Sequence, residues 1–253
     1  MPNLYATPTE IKAAAPDIVQ STTTKYDALI LALANRVSRM IDKITGCEFY
    51  PEKNTRYFTP TEESPRLRIG YLQSLTSVAY SADQTNYTAV STAYVIGEVE
   101  GDRNGDGSFT HLRLIWNSTP IATFPAMDDS TRVAGIWARV DDRSGCWEEA
   151  DKLSSACSSS ATTLKIGSDA TDSDMWGFGY VYQAGRIAKI GDEFLEITAV
   201  TNSTSSGADT MTVVRAVNGT TASTHSTSVS IYIWRPIENI KQACIIESVK
   251  LLE

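Results

Sequence analysis

One stretch of the chain combines carboxylate, amide and glycine residues in the order used by calcium-binding loops. It runs from Asp102 through Asn104 and Asp106 to Gly107. Loops of this kind complete the coordination with a bidentate glutamate at the twelfth position. Here the twelfth position is Arg113, whose positive charge opposes a bound cation. We therefore predict a turn between two strands and assign no metal site, with Asp102, Asn104 and Asp106 as the candidate ligands if a metal ion binds.

The residues that could perform acid–base or nucleophilic catalysis form no recognisable motif. His111 and His225 are far apart in sequence and belong to no nucleophile or zinc signature. His225 follows a turn rich in serine and threonine, which indicates a surface position. Gly177 and Gly179 lack the preceding strand and following helix that a dinucleotide fingerprint requires. The sequence therefore predicts a protein that is not an enzyme and that uses no cofactor.

The net charge, the cysteine spacing and the hydropathy argue against several classes of protein. The net charge of −8 argues against a protein that holds nucleic acid by neutralising phosphates, although DNA could pass such a surface without sticking to it. The four cysteines are too scattered for zinc ligation or a disulfide framework. No apolar run approaches the roughly 18 residues that a membrane span needs, so we expect no membrane partner.

Residues 23–46 carry the strongest local pattern. Thr24 precedes the run as an N-cap residue would, with Asp27 three residues later, and Gly46 follows it as a C-cap. Apolar residues recur at intervals of three and four, which places them on one stripe of a helix. The stripe consists of Tyr26, Leu29, Ile30, Leu33, Val37, Met40, Ile41 and Ile44. We predict a long helix whose apolar stripe is buried in the fold.

The other face of this helix carries a basic stripe on an otherwise acidic protein. Arg36, Arg39 and Lys43 form the stripe, and Leu31 is predicted to be exposed nearby. These four residues are the candidates for a subunit interface, in which the basic side chains would meet carboxylates of a neighbour. The alternative interpretation is a solvated helix face.

Beyond Gly46 the pattern changes to short segments typical of strands. Predicted strands span 55–58, 67–69, 75–80, 94–96, 112–116, 132–140, 162–166, 186–190, 193–200, 210–217 and 229–234. Gly135, inside one of these segments, predicts a bulge or a close backbone approach. Residues 154–163 are predicted as a linker because they are rich in Ser, Ala and Cys.

A second helix is predicted from Pro236 to the end of the chain, with one broad apolar face. That face contains Ile237, Ile240, Cys244, Ile245, Val249 and Leu252. Ile246 points away from it. The predicted fold is α+β, with the N- and C-terminal helices packed together on a β section formed within 1–153 and 235–253. Residues 154–234 would form the linker and an inserted small all-β domain, barrel- or sandwich-like.

The order of these pieces resembles the head–tail connector (adaptor, or head completion) proteins of long-tailed bacteriophages. Residues 4–12 read Leu-Tyr-Ala-Thr-Pro-Thr-Glu-Ile-Lys, and the long helix ends in Thr-Gly-Cys-Glu-Phe-Tyr-Pro at 45–51. A final helix opens with Pro-Ile-Glu-Asn-Ile-Lys-Gln-Ala-Cys at 236–244. The segments 190–193 and 215–225 are similar to a small β module inserted in some phage structural proteins.

This resemblance implies a structural virion protein at the portal vertex, assembled in the host cytoplasm. Copies would form a ring, usually of twelve, that joins the portal and capsid to the tail and extends the DNA channel. The implied partners are the portal protein, further copies, a stopper or tail terminator protein, and packaged DNA that passes without sequence-specific binding. Ile246, Lys250 and Glu253 on the last helix are the candidates for the portal contact.

A β-rich tail or baseplate module that recognises a receptor or glycan is the alternative function. Trp176, Phe178, Tyr180 and Tyr182 alternate with other residues and would share one face of a strand. Such a face can stack on sugar rings. Packing against a neighbouring domain is the interpretation that we favour for it.

Overall fold

The computed structural model describes residues 3–20, 23–101, 104–115, 121–167, 179–203 and 209–252. Within these ranges the chain contains three helices and two antiparallel sheets, which confirms the predicted α+β class. The helices are α1 (Pro8–Ala14), α2 (Asp27–Thr45) and α3 (Glu238–Lys250). The strands are β1 (Glu52–Phe58), β2 (Arg66–Tyr80), β3 (Thr88–Val90), β4 (Val95–Glu98), β5 (Phe109–Leu114), β6 (Thr131–Trp137), β7 (Trp147–Lys152), β8 (Thr163–Lys165), β9 (Ile187–Ile190), β10 (Glu193–Thr201), β11 (Thr210–Val214) and β12 (Ser230–Trp234).

The chain divides into two compact units. Residues 47–144 form the sheet unit, which holds β1–β6, and residues 1–46 with 145–253 form the helical unit, which holds the helices and β7–β12. The helices therefore group with the second sheet, and the boundary predicted at residue 154 falls inside the helical unit. The predicted linker is hydrogen-bonded to that sheet, since Ser154 N–H donates to the Lys165 carbonyl (3.0 Å) and Cys157 N–H donates to the His225 carbonyl (2.9 Å).

The sheet unit is built around one very long strand. Its strand order is β1-β6-β2-β5-β4, with β3 paired to β2. The two short strands predicted at 67–69 and 75–80 are parts of the 15-residue β2, which continues through Gly70 (φ +93°) and irregular register rather than ending there. One face of the sheet carries the core. The fully buried members of that core are Leu72, Val78, Leu112, Phe124, Val133 and Trp137.

The sheet of the helical unit curls until its outer strands meet. Its order is β7-β12-β9-β10-β11-β8, and an antiparallel bridge between Leu153 and Ile166 joins the ends of the two outer strands. Buried aliphatic side chains from the strands form its core. The sequence did not predict β7, because Trp-Glu-Glu-Ala-Asp-Lys lacks the β-branched residues that mark a strand. Pairing with β12 holds it in place.

The three helices pack together where their side chains are small. Ala34 and Ser38 of α2 meet Cys244 of α3, and the Ser38 hydroxyl lies 3.7 Å from the Cys244 sulfur. The Ser38 hydroxyl also donates to the Ala34 carbonyl (2.7 Å) and accepts from Tyr5 N–H (3.1 Å). Small residues at these positions let the two helix backbones approach closely. The contacts between α2 and α3 confirm the prediction that the N- and C-terminal helices pack together.

The buried face of α2 is rotated from the predicted one, because α3 covers the side that bears Ala34 and Ser38. Its buried residues are Ile30, Ala34, Val37, Ser38 and Ile41. Half of the predicted apolar stripe is consequently exposed. The predicted N-cap is also wrong: α2 begins after Tyr26 without a side-chain cap, and the Asp27 carboxylate pairs with Lys12 of α1. The C-cap at Gly46 is confirmed by its left-handed backbone (φ +64°).

Candidate functional site

The most concentrated group of charged side chains surrounds Glu193 at the start of β10. Its two carboxylate oxygens accept a bidentate pair of bonds from Arg215, at 2.6 Å from Nε and 2.7 Å from Nη2. They also accept the backbone N–H groups of Ala216 (3.2 Å) and Ser223 (3.1 Å), and the His225 ring Nε2 lies at 2.8 Å. Five donors thus converge on one carboxylate whose side chain is fully buried.

This arrangement keeps Glu193 ionised. Burial alone would raise the pKa of the Glu193 carboxyl, but the hydrogen bonds from Arg215, Ser223 and His225 lower it to about 2. A carboxylate whose lone pairs are all engaged cannot act as a general base toward a substrate. We therefore interpret the Glu193 cluster as a structural lock.

The lock holds three chain segments together, namely residues 158–161, the start of β10 at Glu193, and residues 215–225. Beyond Glu193, the Arg215 guanidinium donates to the carbonyls of Ser158 (2.8 Å), Ala161 (2.9 Å) and Ser223 (2.6 Å). The predicted surface position of His225 is wrong, because the residue is only 8% exposed and faces the carboxylate. The segments 190–193 and 215–225 were singled out only for their resemblance to a small β module, and nothing in the sequence indicated that Glu193 pairs with Arg215, since 22 positions separate them.

An arginine side chain contacts the described part of the turn predicted at 102–107. Asp102 lies outside the described residues, while Asn104 and Asp106 are exposed. The Arg143 guanidinium donates to the carbonyls of Gly105 (2.8 Å) and Gly107. The Arg143 guanidinium therefore holds the backbone of this turn through these two carbonyls. Among the described residues, no group of three or more Asp, Glu, His or Cys side chains could hold a metal ion.

A cleft in the sheet unit lies beside this turn. It has a volume of about 540 Å³ and is lined by apolar, uncharged polar and charged side chains, the uncharged polar ones being Gln73, Ser74, Thr92 and Ser144. Its apolar lining includes Leu75, Val95 and Phe109, and its acidic lining is Asp106 and Asp142. Arg143 stacks on the Phe109 ring at 4.1 Å from the centroid. The volume falls within the range of ligand-binding pockets.

The exposed part of α2 forms the second surface of interest. The side chains of Leu29, Met40 and Ile44 are 53%, 38% and 75% exposed, and Arg36 and Lys43 are exposed between them. These five residues recur at helical spacing along one side of α2, and we name them the α2 strip. The strip combines apolar contact area with two positive charges.

Other predicted interface residues on α2 are occupied within the chain. Arg39 pairs with Asp42 (2.8 Å) and donates to the Asn3 carbonyl (2.8 Å), so it fastens the N-terminal segment to the helix. Leu31, predicted to be exposed, is half-buried. The predicted basic stripe is thus divided, with Arg36 and Lys43 facing solvent and Arg39 turned toward residues 3–5.

Two of the three residues predicted to contact the portal, Ile246 and Lys250, lie on α3. Ile246 is 52% exposed, on the side opposite the buried Cys244 and Ile245. Lys250 is exposed and pairs with Glu247 at 2.6 Å. Glu253 lies outside the described residues. Within the described part of the chain, none of the helices is both long and apolar enough to span a membrane.

With this geometry in hand, the chain was compared with known proteins. Neither family models nor searches of curated proteins and solved structures gave a match. The resemblance to phage connector proteins therefore stays a prediction.

Proposed function

We propose that this chain is a non-enzymatic structural subunit of a tailed-phage neck. Copies would form a ring, of twelve as in the connector proteins it resembles, between the portal and the tail. The ring would extend the DNA channel and help to retain the packaged genome. Its partners would be the portal protein, neighbouring copies, and a stopper or tail terminator protein.

The observation that carries this proposal is the exposed α2 strip. Leu29, Met40 and Ile44 are exposed to water along one side of α2, which does not stabilise an isolated subunit. Association with a partner would bury these apolar side chains. Arg36 and Lys43 add positive charge to this surface on a protein whose net charge is −8. A surface of this composition favours association with an acidic, partly apolar partner.

The remaining features are consistent with the same role. A net charge of −8 disfavours tight binding to the DNA backbone, as a channel component requires. In this proposal the curled sheet is a small barrel-like module inserted in the sequence between β6 and α3. Ile246 and Lys250 of α3, with Glu253, would contact the portal.

The alternative glycan-binding function receives no such support. Trp176 and Phe178 lie outside the described residues. Tyr180 is half-exposed while Tyr182 is buried at 3% exposure, and neither belongs to a strand. These two tyrosines therefore do not form the shared aromatic face that stacking on a sugar would need.

Native mass spectrometry of the purified chain, alone and with the portal protein of the same virion, tests the proposal. We expect ring-sized complexes or a complex with the portal. The double variant M40E/I44E should weaken this association by about tenfold or more, because the apolar part of the α2 strip would carry two carboxylates.

Ile18→Glu is the control for adding a carboxylate at an exposed apolar position outside the α2 strip. Its association should equal that of the unmodified chain. A chain that stays monomeric both alone and with the portal would contradict the proposal, and binding of a glycan by that monomer would favour the alternative.

A further inference from the structure

The cleft of the sheet unit is a preformed surface. Gly97 leaves room for the Phe109 ring, since a Cβ at position 97 would lie only 2.6 Å from Phe109 Cγ. The Arg143 guanidinium also packs on this ring. This stack of glycine, phenylalanine and arginine fixes the apolar floor of the cleft before any partner arrives.

The rim of the cleft is negative. Asp106 and Asp142 are exposed at its edge, and Asp141 is exposed next to them. The lining cation, Arg143, directs its guanidinium toward the carbonyls of Gly105 and Gly107. The cleft therefore combines the apolar side chains of Leu75, Val95 and Phe109 with exposed carboxylates, which suits an apolar side chain flanked by cations.

The α2 strip has the complementary composition. Its C-terminal end places Met40 and Ile44 beside Lys43, with Arg36 one turn earlier on the same side of the helix. Ile44, the most exposed of these apolar residues, would enter the cleft. Lys43 and Arg36 would then lie over the acidic rim.

We infer that the cleft of one copy receives the α2 strip of a neighbouring copy, so that this contact is the repeating joint of the proposed ring. The two surfaces differ from each other and both belong to the same chain. Two different complementary patches on each subunit are the requirement for head-to-tail association. This inference deepens the proposed function and depends on it, because it names the surfaces through which the copies associate.

Charge reversal on each surface, followed by mixing, tests the inference. R36E/K43E reverses the strip and D106K/D142K reverses the rim of the cleft. Each variant alone should self-associate at least about tenfold more weakly than the unmodified chain, as measured by sedimentation velocity at low ionic strength with and without the portal. A 1:1 mixture should recover association, because every strip then finds a cleft of opposite charge.

Two control variants carry the same changes in net charge at other exposed positions. E62K/E63K matches the cleft variant, and K152E/K165E matches the strip variant. Both should associate as the unmodified chain does, and circular dichroism should report the same folded content for all variants. Recovery on mixing also separates contact between copies from contact within one copy, since mixing cannot repair the latter.

The other outcomes distinguish a wrong joint from a wrong function. If the unmodified chain assembles and either reversed variant assembles equally well, the inferred joint is wrong while the proposed function stands. The joint is also wrong if both variants dissociate and mixing restores nothing, because the two surfaces then meet different partners. If the unmodified chain forms no complex with or without the portal, the proposed function fails and the joint fails with it.

Discussion

Replacing Glu193 by alanine should lower the free energy of unfolding by about 3–5 kcal/mol. The substitution leaves the Arg215 guanidinium, whose side chain is only 7% exposed, without its carboxylate. It also removes the acceptor for the N–H groups of Ala216 and Ser223 and for the His225 ring. Removing one partner of a buried ion pair costs more than the pair contributes, because an uncompensated charge stays behind.

Urea unfolding followed by circular dichroism measures this effect. Asp192→Ala is the matched control, because Asp192 is the exposed neighbour of Glu193 in the same turn, and its substitution should change stability by less than about 0.5 kcal/mol. A Glu193→Ala protein as stable as the Asp192→Ala protein would show that the lock contributes nothing.

The same carboxylate makes stability depend on pH in a defined window. The folded-state pKa of Glu193, about 2, lies below the ordinary value of 4.5. Its contribution is therefore complete above about pH 4.5 and is lost as the pH falls toward 2. The stability difference between the unmodified protein and Glu193→Gln should shrink across that window. A difference that stays constant from pH 5 to pH 2 would contradict the assigned protonation state.

Local patterns in the sequence predicted individual elements well where one short segment decides the outcome. The C-cap at Gly46 depends on one residue that adopts a left-handed backbone, and it was found. The buried face of α2 depends instead on where α3 packs, more than 200 positions away, and the small residues that permit this packing interrupt the apolar pattern. The sequence therefore predicted the apolar stripe of α2, but it did not predict that half of this stripe is exposed to solvent.

The candidate surfaces show the same division between local and distant determinants. The basic residues of α2 are visible in the sequence, but whether each faces solvent is decided by distant chain segments, as for Arg39 and the Asn3 carbonyl. The Glu193 cluster and the cleft were missed because their members come from separate strands and loops. A glutamate within an apolar strand, as in Glu193-Phe-Leu, is the signal that could have drawn attention to a buried charge pair.

Gly135 in β6 shows how a single sequence signal can report a three-dimensional contact. The glycine was predicted to mark a bulge or a close approach, and β2 carries register irregularities beside it. A Cβ at position 135 would lie 2.7 Å from Leu72 Cδ1 and still closer to the Ser74 carbonyl oxygen. Side chains in this core cannot absorb such a contact easily, because Leu72 is fully buried and Ser74 O belongs to the backbone.

Gly135→Ala should therefore destabilise the protein by about 1–3 kcal/mol, the usual cost of overpacking, even though alanine is normally the better strand residue. At the adjacent position, 134, alanine should be more stable than glycine. Ala134→Gly, whose side of the strand is half-buried, should cost only about 0.5–1 kcal/mol through backbone entropy. Urea unfolding of the two variants decides the matter. If Gly135→Ala equals or exceeds the unmodified protein in stability, then β2 does not approach position 135 closely enough to exclude a methyl group.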